Sequence, residues 1–178
     1  MARSLVFDAT TPDFARQWQR LDWQLLQNSS VHRYRSDDEM GRTATGLAGL
    51  GYAIHQLDAG NWRRENEMHT ALAAELNFPS YYGRNLDALN DAFRDISEYR
   101  YGSDPSTTGT VLVLTGYESF TLHNSELAYA LLEIFARNAR NGLLVGHPML
   151  CLISAKNDFP AVGATPVVLS LAPLEISP

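Results

Sequence analysis

Two short runs, Val111-Leu112-Val113-Leu114 and Met149-Leu150-Cys151-Leu152-Ile153, contain no charged or hydrogen-bonding side chain except a thiol. A strand with one wet face alternates polar and apolar residues. A continuous apolar run of this length marks a strand covered on both faces, as in parallel sheets. Between the two runs, Asn124 or Ser125 caps a helix whose end is placed at Gly142, a residue suited to the left-handed position past a helix. Tyr52-Ala53-Ile54-His55-Gln56-Leu57 reads as another strand, and Val167–Leu171 as a further one. Strands alternating with helices predict an α/β sandwich, with parallel pairing where the crossovers are helical.

Between strand 52–57 and the run at 111 the pattern is helical. A helix is expected to reach Leu76, with Met68, Leu72, Ala73 and Leu76 on one side and Phe78-Pro79 as its stop. Asn85 is the cap of the next helix, over about 86–96. Residues 98–110 form a polar loop, in which Tyr99 and Tyr101 either extend a recognition surface or cover the core.

The first fifty residues are less regular. Residues 4–8 suit a short strand. Thr10-Thr11-Pro12-Asp13 reads as a helix start. Phe14, Trp18, Leu21 and Leu25 then recur at helical spacing, predicting an amphipathic helix over 12–27. Residues 31–51 are less regular than what precedes them, and Thr45–Gly51 reads as a flexible stretch. Its glycines precede a strand rather than follow one, which is the wrong context for a phosphate loop. The composition shift near residue 50 divides the chain into an extension, 1–50, and a main domain, 51–178. The apolar stripe of the extension is costly to leave in water, so the extension is expected to pack on the core.

Charge narrows the function. The 178 residues carry a formal net charge of −6, the reverse of a nucleic-acid footprint but suited to a basic protein partner. No apolar run approaches a membrane span, and the first residues lack the apolar core of a secretory signal, so a cytoplasmic protein without membrane contact is expected. The single cysteine, Cys151, excludes an internal disulfide and a cysteine-rich metal site. It lies in an apolar strand, where a buried inert thiol is expected. His32, His55, His69, His123 and His147 are scattered without ligand spacing, so neither a metal nor a cofactor is expected.

The informative helix is 86–96. At 100° per residue, Leu86, Leu89, Phe93 and Ile96 share an arc of about 80°, and Asp87, Asp91 and Asp95 share another well away from it. One side anchors the helix; the other stacks three carboxylates one turn apart. Like charges at that spacing repel, and Asp is a poor helix former. A merely solvated face would use a Glu/Lys mixture, so the row leans toward a binding surface. Asp87 and Asp91 are not a glycosidase pair, because neighbouring turns of one convex helix do not flank a substrate. With no nucleophile–base pair in view, the chain is not expected to be an enzyme.

Pro79-Ser80-Tyr81-Tyr82-Gly83-Arg84-Asn85-Leu86-Asp87-Ala88-Leu89-Asn90-Asp91 resembles the signature of the barstar family of ribonuclease inhibitors. The resemblance extends more weakly over about 52–154. It implies a barstar-like layered α/β fold, a small parallel sheet packed by helices, and a protein that plugs the cationic active site of a guanyl-specific ribonuclease, using the signature helix and the turn before it. Tyr81 matches a family aromatic that packs on the nuclease. Asp87 and Asp91 match the two acids that face its arginines, lysine and histidine. Gly83 is expected to supply a turn that a side chain would hinder. Tyr82, Asn85, Asn90 and Asp95 complete the expected contact face, Asn90 standing where the best-known member has Trp. Arg137 sits where that member has a further acid; Glu133, one helical turn earlier, either substitutes for it or pairs with Arg137. These departures keep an alternative open, an immunity or regulatory protein for a toxin that is not a ribonuclease.

Overall fold

The computed structural model describes residues 6–100, 102–158, 162 and 167–170. The elements run α1 (Phe14–Gln17), α2 (Leu21–Leu26), β1 (Val31–Tyr34), α3 (Asp37–Gly49), β2 (Ala53–Asp58), α4 (Glu65–Glu75), α5 (Leu86–Ser97), β3 (Thr110–Thr115), α6 (Tyr117–His123), α7 (Ser125–Leu144), β4 (Met149–Ser154) and β5 (Val168–Leu169). The five strands form one sheet in the order β2-β3-β4-β1-β5. Every pairing is parallel, with Leu112 opposite Cys151 and Val31 opposite that same Cys151 from the other side.

The apolar runs behave as two-sided strands. Leu112, Leu114, Cys151 and Ile153 point into a core shared with α4, α5, α6 and α7. Val111, Val113, Leu150 and Leu152 point into a second core, closed by Leu25 of α2, by Met40, Ala44 and Leu47 of α3, and by Tyr52. The molecule is therefore a three-layer α/β/α sandwich.

Several expectations for the first fifty residues are corrected. The stretch 31–51 is not irregular, for it holds β1 and α3. Ser36 caps α3, its hydroxyl accepting from the Glu39 amide at 3.2 Å, and Asp37, Asp38 and Glu39 fill the first turn, where acids suit the positive helix end. Glycine is a poor helix former, but Gly46 has a packing reason: a Cβ there would lie 2.8 Å from Leu21 Cδ2. The chain leaves α3 at Gly51, whose φ of 87° is left-handed.

The single helix expected over 12–27 is broken into α1 and α2. Arg20 is extended, with ψ 140°. Its guanidinium reaches the buried Asp22 carboxylate through Nε at 3.0 Å and Nη2 at 2.7 Å. The Tyr52 hydroxyl donates to the same carboxylate at 2.9 Å. Satisfying one buried charge fixes the chain direction at Arg20 and overrides the helical stripe. Trp18, placed on that stripe, is 62% exposed. Residues 6–8 form no strand, and residues 4 and 5 lie outside the described residues. At the other end β5 occupies Val168–Leu169, and Leu171 lies outside the described residues.

The long helix needs two adjustments. A short helix, α6, precedes it without having been expected. α7 runs past Gly142 to Leu144, and the left-handed residue is Gly146, with φ 75°. Gly142 has another purpose, since a Cβ on it would lie 2.5 Å from the His147 carbonyl.

Candidate functional site

α4 and α5 lie in the layer opposite α3, and the turn between them carries the signature. Asn85 caps α5, its side-chain oxygen accepting from the Ala88 amide at 2.8 Å. Leu89, Ala92, Phe93 and Ile96 are buried. α5 is held against α7 by Phe93 on Phe135, ring centroids 5.4 Å apart, and by the Asn138 amide donating to the Asn90 side-chain oxygen at 3.1 Å.

The turn is docked as firmly. The Phe78 amide donates to the Ala73 carbonyl at 3.0 Å, and the Tyr82 amide to Pro79 at 2.9 Å. Phe78 lies edge-on to Tyr82 at 4.8 Å and to Phe93 at 6.4 Å. Two residues between α4 and α5 are left-handed, Asn77 with φ 51° and Arg84 with φ 48°. Gly83 does not have that conformation, and a Cβ on it would meet Ala88 Cβ at 3.4 Å. The expected turn role of Gly83 is thus corrected: the left-handed conformations belong to Asn77 and Arg84, and a Cβ on Gly83 would make only an ordinary contact with Ala88.

Between turn and helix lies a groove of about 390 Å³. Tyr81, Tyr82, Gly83, Asn85, Asp87, Asp91 and Asp95 all line it. Two expected residues stand apart. Asn90 is turned into the α5–α7 seam by Asn138, and Glu133 lies on α7. The sequence reading missed the apolar floor of the groove, made by Phe78, Pro79, Ala88 and Ala92. The signal was present: Ala88 and Ala92, four apart, leave room between the carboxylates and the turn.

Tyr81 is 74% exposed at the rim. The acids are partnered within the chain. Asp91 meets Arg94 at 2.9 Å, Asp95 meets Arg100 at 3.8 Å, and Glu133 meets Arg137 at 4.0 Å. Among the described residues Asp87 has no such ion pair. Each pair has at least one half-exposed partner, and ion pairs of this kind contribute little to stability.

Tyr82 is different. Its hydroxyl lies 2.6 Å from His69 Nδ1, and burial, with Glu65 nearby, pushes it well above the usual phenol range. It stays protonated and donates. Tyr99 stacks on His147 at 3.7 Å, which makes it a cover for the core; Tyr101 lies outside the described residues. The Cys151 thiol is buried and held far above its usual range by that burial. No group of three metal-binding side chains occurs among the described residues, and no helix there is long and apolar enough to cross a membrane.

The family model described as Barstar (barnase inhibitor) matches residues 52–154. No curated protein matches the chain. Among solved structures, the chain is similar to the Aeropyrum pernix ORC2 protein in its ADPNP–ADP complexes, at 16% identity and a TM-score of 0.49. That alignment covers 88% of this chain and 45% of the other, so the chain spans less than half the length of that protein.

Proposed function

The chain belongs to the barstar family, and on that ground we propose that it is a protein inhibitor, which binds and blocks the cationic active site of a basic, guanyl-specific ribonuclease through α5 and the turn before it. The observation that carries the reading is the groove itself: Asp87, Asp91 and Asp95 rise along one side of an apolar floor, and Tyr81 stands at its rim. A ribonuclease cleft is built to hold phosphates. A carboxylate placed there accepts charge-assisted hydrogen bonds from the arginines and lysines that a phosphate would engage. The apolar floor and Tyr81 supply desolvated contact area around those bonds, as the centre of a tight interface requires. The net charge of −6 draws a basic partner from a distance.

In this reading the chain turns over no substrate, uses no metal or cofactor, and works in the compartment where the nuclease is made. Barnase is the direct probe. Equimolar chain should abolish its cleavage of RNA, with a sharp stoichiometric end point. Undiminished cleavage at a tenfold excess of chain would refute the nuclease assignment. A toxin of another kind is the second reading, favoured by one observation: Arg94 pairs with Asp91 of the groove, where a purely cationic cleft would repel it.

A further inference from the structure

Behind the groove, on the far side of Tyr82, lies a polar contact made by the helix that precedes the signature. His69 of α4 is completely buried. Its Nδ1 is 2.6 Å from the Tyr82 hydroxyl, and its Nε2 is 3.2 Å from Glu65 Oε1. A carboxylate only accepts, so Nε2 carries the proton, and in the neutral ring Nδ1 accepts from the Tyr82 hydroxyl. The bond spans thirteen residues and ties α4 to the middle of the turn. A second tie lies beside it, where the Arg84 guanidinium reaches the Thr70 hydroxyl at 3.4 Å. Tyr82 is itself a wall of the groove and backs onto Phe78, which forms the floor.

We propose that His69 is a positioning residue for partner binding: it fixes Tyr82, and through Tyr82 the turn 79–84, so that Tyr81 and the α5 carboxylates face a partner in one preformed arrangement. This inference rests on the inhibitor reading for its consequence, not for its geometry. Core packing alone does not call for a histidine here. A leucine would fill much of the same space, but it would take away the acceptor of the half-buried Tyr82 hydroxyl. The arrangement directs the bond to a turn that carries a left-handed Arg84 and an exposed Tyr81. Such a turn needs outside support to hold one conformation. A turn free to move makes binding bear the cost of ordering it.

The test uses the full-length chain. In His69→Leu, the Tyr82 amide, bonded to Pro79 in the native turn, should lose hydrogen-exchange protection about tenfold, while the mid-helix amides of α4 and α5 keep theirs. His69→Asn, whose side-chain oxygen replaces Nδ1 as acceptor, should restore it. Unchanged protection at Tyr82, or equal loss throughout both helices, overturns the proposal whatever the partner. Against barnase as probe, His69→Leu and Tyr82→Phe should each raise the dissociation constant about tenfold, and the double variant no further, because both remove the same bond. His69→Asn should bind within about threefold of wild type. Additive losses overturn the positioning role. Failure of the wild type itself to bind barnase counts against the nuclease reading alone, and the exchange measurement then decides this one.

Discussion

If α5 is the inhibitory face, Asp91 should be neutral for folding and decisive for binding. It sits mid-helix between Asp87 and Asp95, each one turn away, and pairs with Arg94 at 2.9 Å. Asp91→Ala removes an exposed ion pair worth about 0–1 kcal/mol. It also relieves repulsion of a few tenths of a kcal/mol per neighbour and improves helix propensity. These effects oppose each other, so the melting temperature should stay within about 3 °C of wild type. Binding has no such compensation. A cation buried against Asp91 in the complex would be left unpaired, at a cost of about 3–5 kcal/mol, felt chiefly in dissociation. Melts and surface kinetics against barnase measure both sides; an affinity within about threefold of wild type places the docking elsewhere. His32 makes the opposite case, a residue whose protonation matters only to folding. Burial holds its imidazole down at about 4, against an ordinary 6.5. The neutral ring donates from Nε2 to the Ser29 carbonyl at 2.9 Å and accepts at Nδ1 from the Ser170 hydroxyl at 2.8 Å. Between pH 6.5 and 4 the unfolded chain takes up a proton that the native ring excludes. Stability is therefore full above that window and declines as pH falls through it, by up to about 3 kcal/mol. Denaturant titrations at pH 7 and pH 4.5 should show the loss, and His32→Gln should show markedly less of it.

Among the elements, α7 and β4 meet at a close approach that no propensity scale contains. A Cβ on Gly142 would lie 2.5 Å from the His147 carbonyl and 3.5 Å from Met149 Sδ and Ser97 Cβ. Neither a carbonyl in the turn nor β4 can retreat far. Gly142→Ala should therefore destabilise the fold by about 1–3 kcal/mol despite alanine's better helix propensity. A melt at or above the wild-type temperature would show that the turn yields. The same glycine shows where sequence is legible. Its presence near a helix end was plain, but its purpose was tertiary, and the left-handed duty fell to Gly146. Caps and two-sided strands were readable because their causes are local: Asn85, Val111–Leu114 and the run at 149 all behave as their neighbours dictate. α3 was not readable, because three glycines weaken its helical pattern; Gly46 is explained only by Leu21 packing against it, and nothing packs within 4 Å of a Cβ on Gly41 or Gly49. Nor was the break at Arg20, which answers to Asp22 and to Tyr52, thirty residues beyond Asp22. At the site, the acid row followed from helical period alone. The groove's far wall did not, since the bond from His69 to Tyr82 joins two elements that no periodicity connects.

At the scale of the molecule, the family-matching segment 52–154 supplies β2, β3 and β4 and the helices of one layer, while the first fifty residues supply β1 and the opposite layer. β1 lies between β4 and β5, so without it β4 becomes an open edge and β5 has no neighbour. Without α3, the side chains of Val111, Val113, Leu150 and Leu152 face water. At about 1.5–3 kcal/mol for each side chain, that exposure equals most of the stability of an ordinary domain. A chain beginning at Gly51 should accordingly be insoluble or melt far below the full chain, and a soluble one with an unchanged melting temperature would contradict this account. Collapse of that chain would not separate folding from docking, but Met40→Ala does. Met40 is buried in the α3 layer, and the groove lies in the other. Its truncation should cost about 2–5 kcal/mol of stability. Asp91 and the turn at 79–84 rest on α4 and α7, whose packing does not involve Met40. The dissociation rate of the barnase complex should therefore stay within about twofold of wild type while the protein remains folded. A rate that rose in step with the lost stability would mean that the two layers of the sandwich are coupled through the sheet, and that the first fifty residues shape the inhibitor's face as well as its fold.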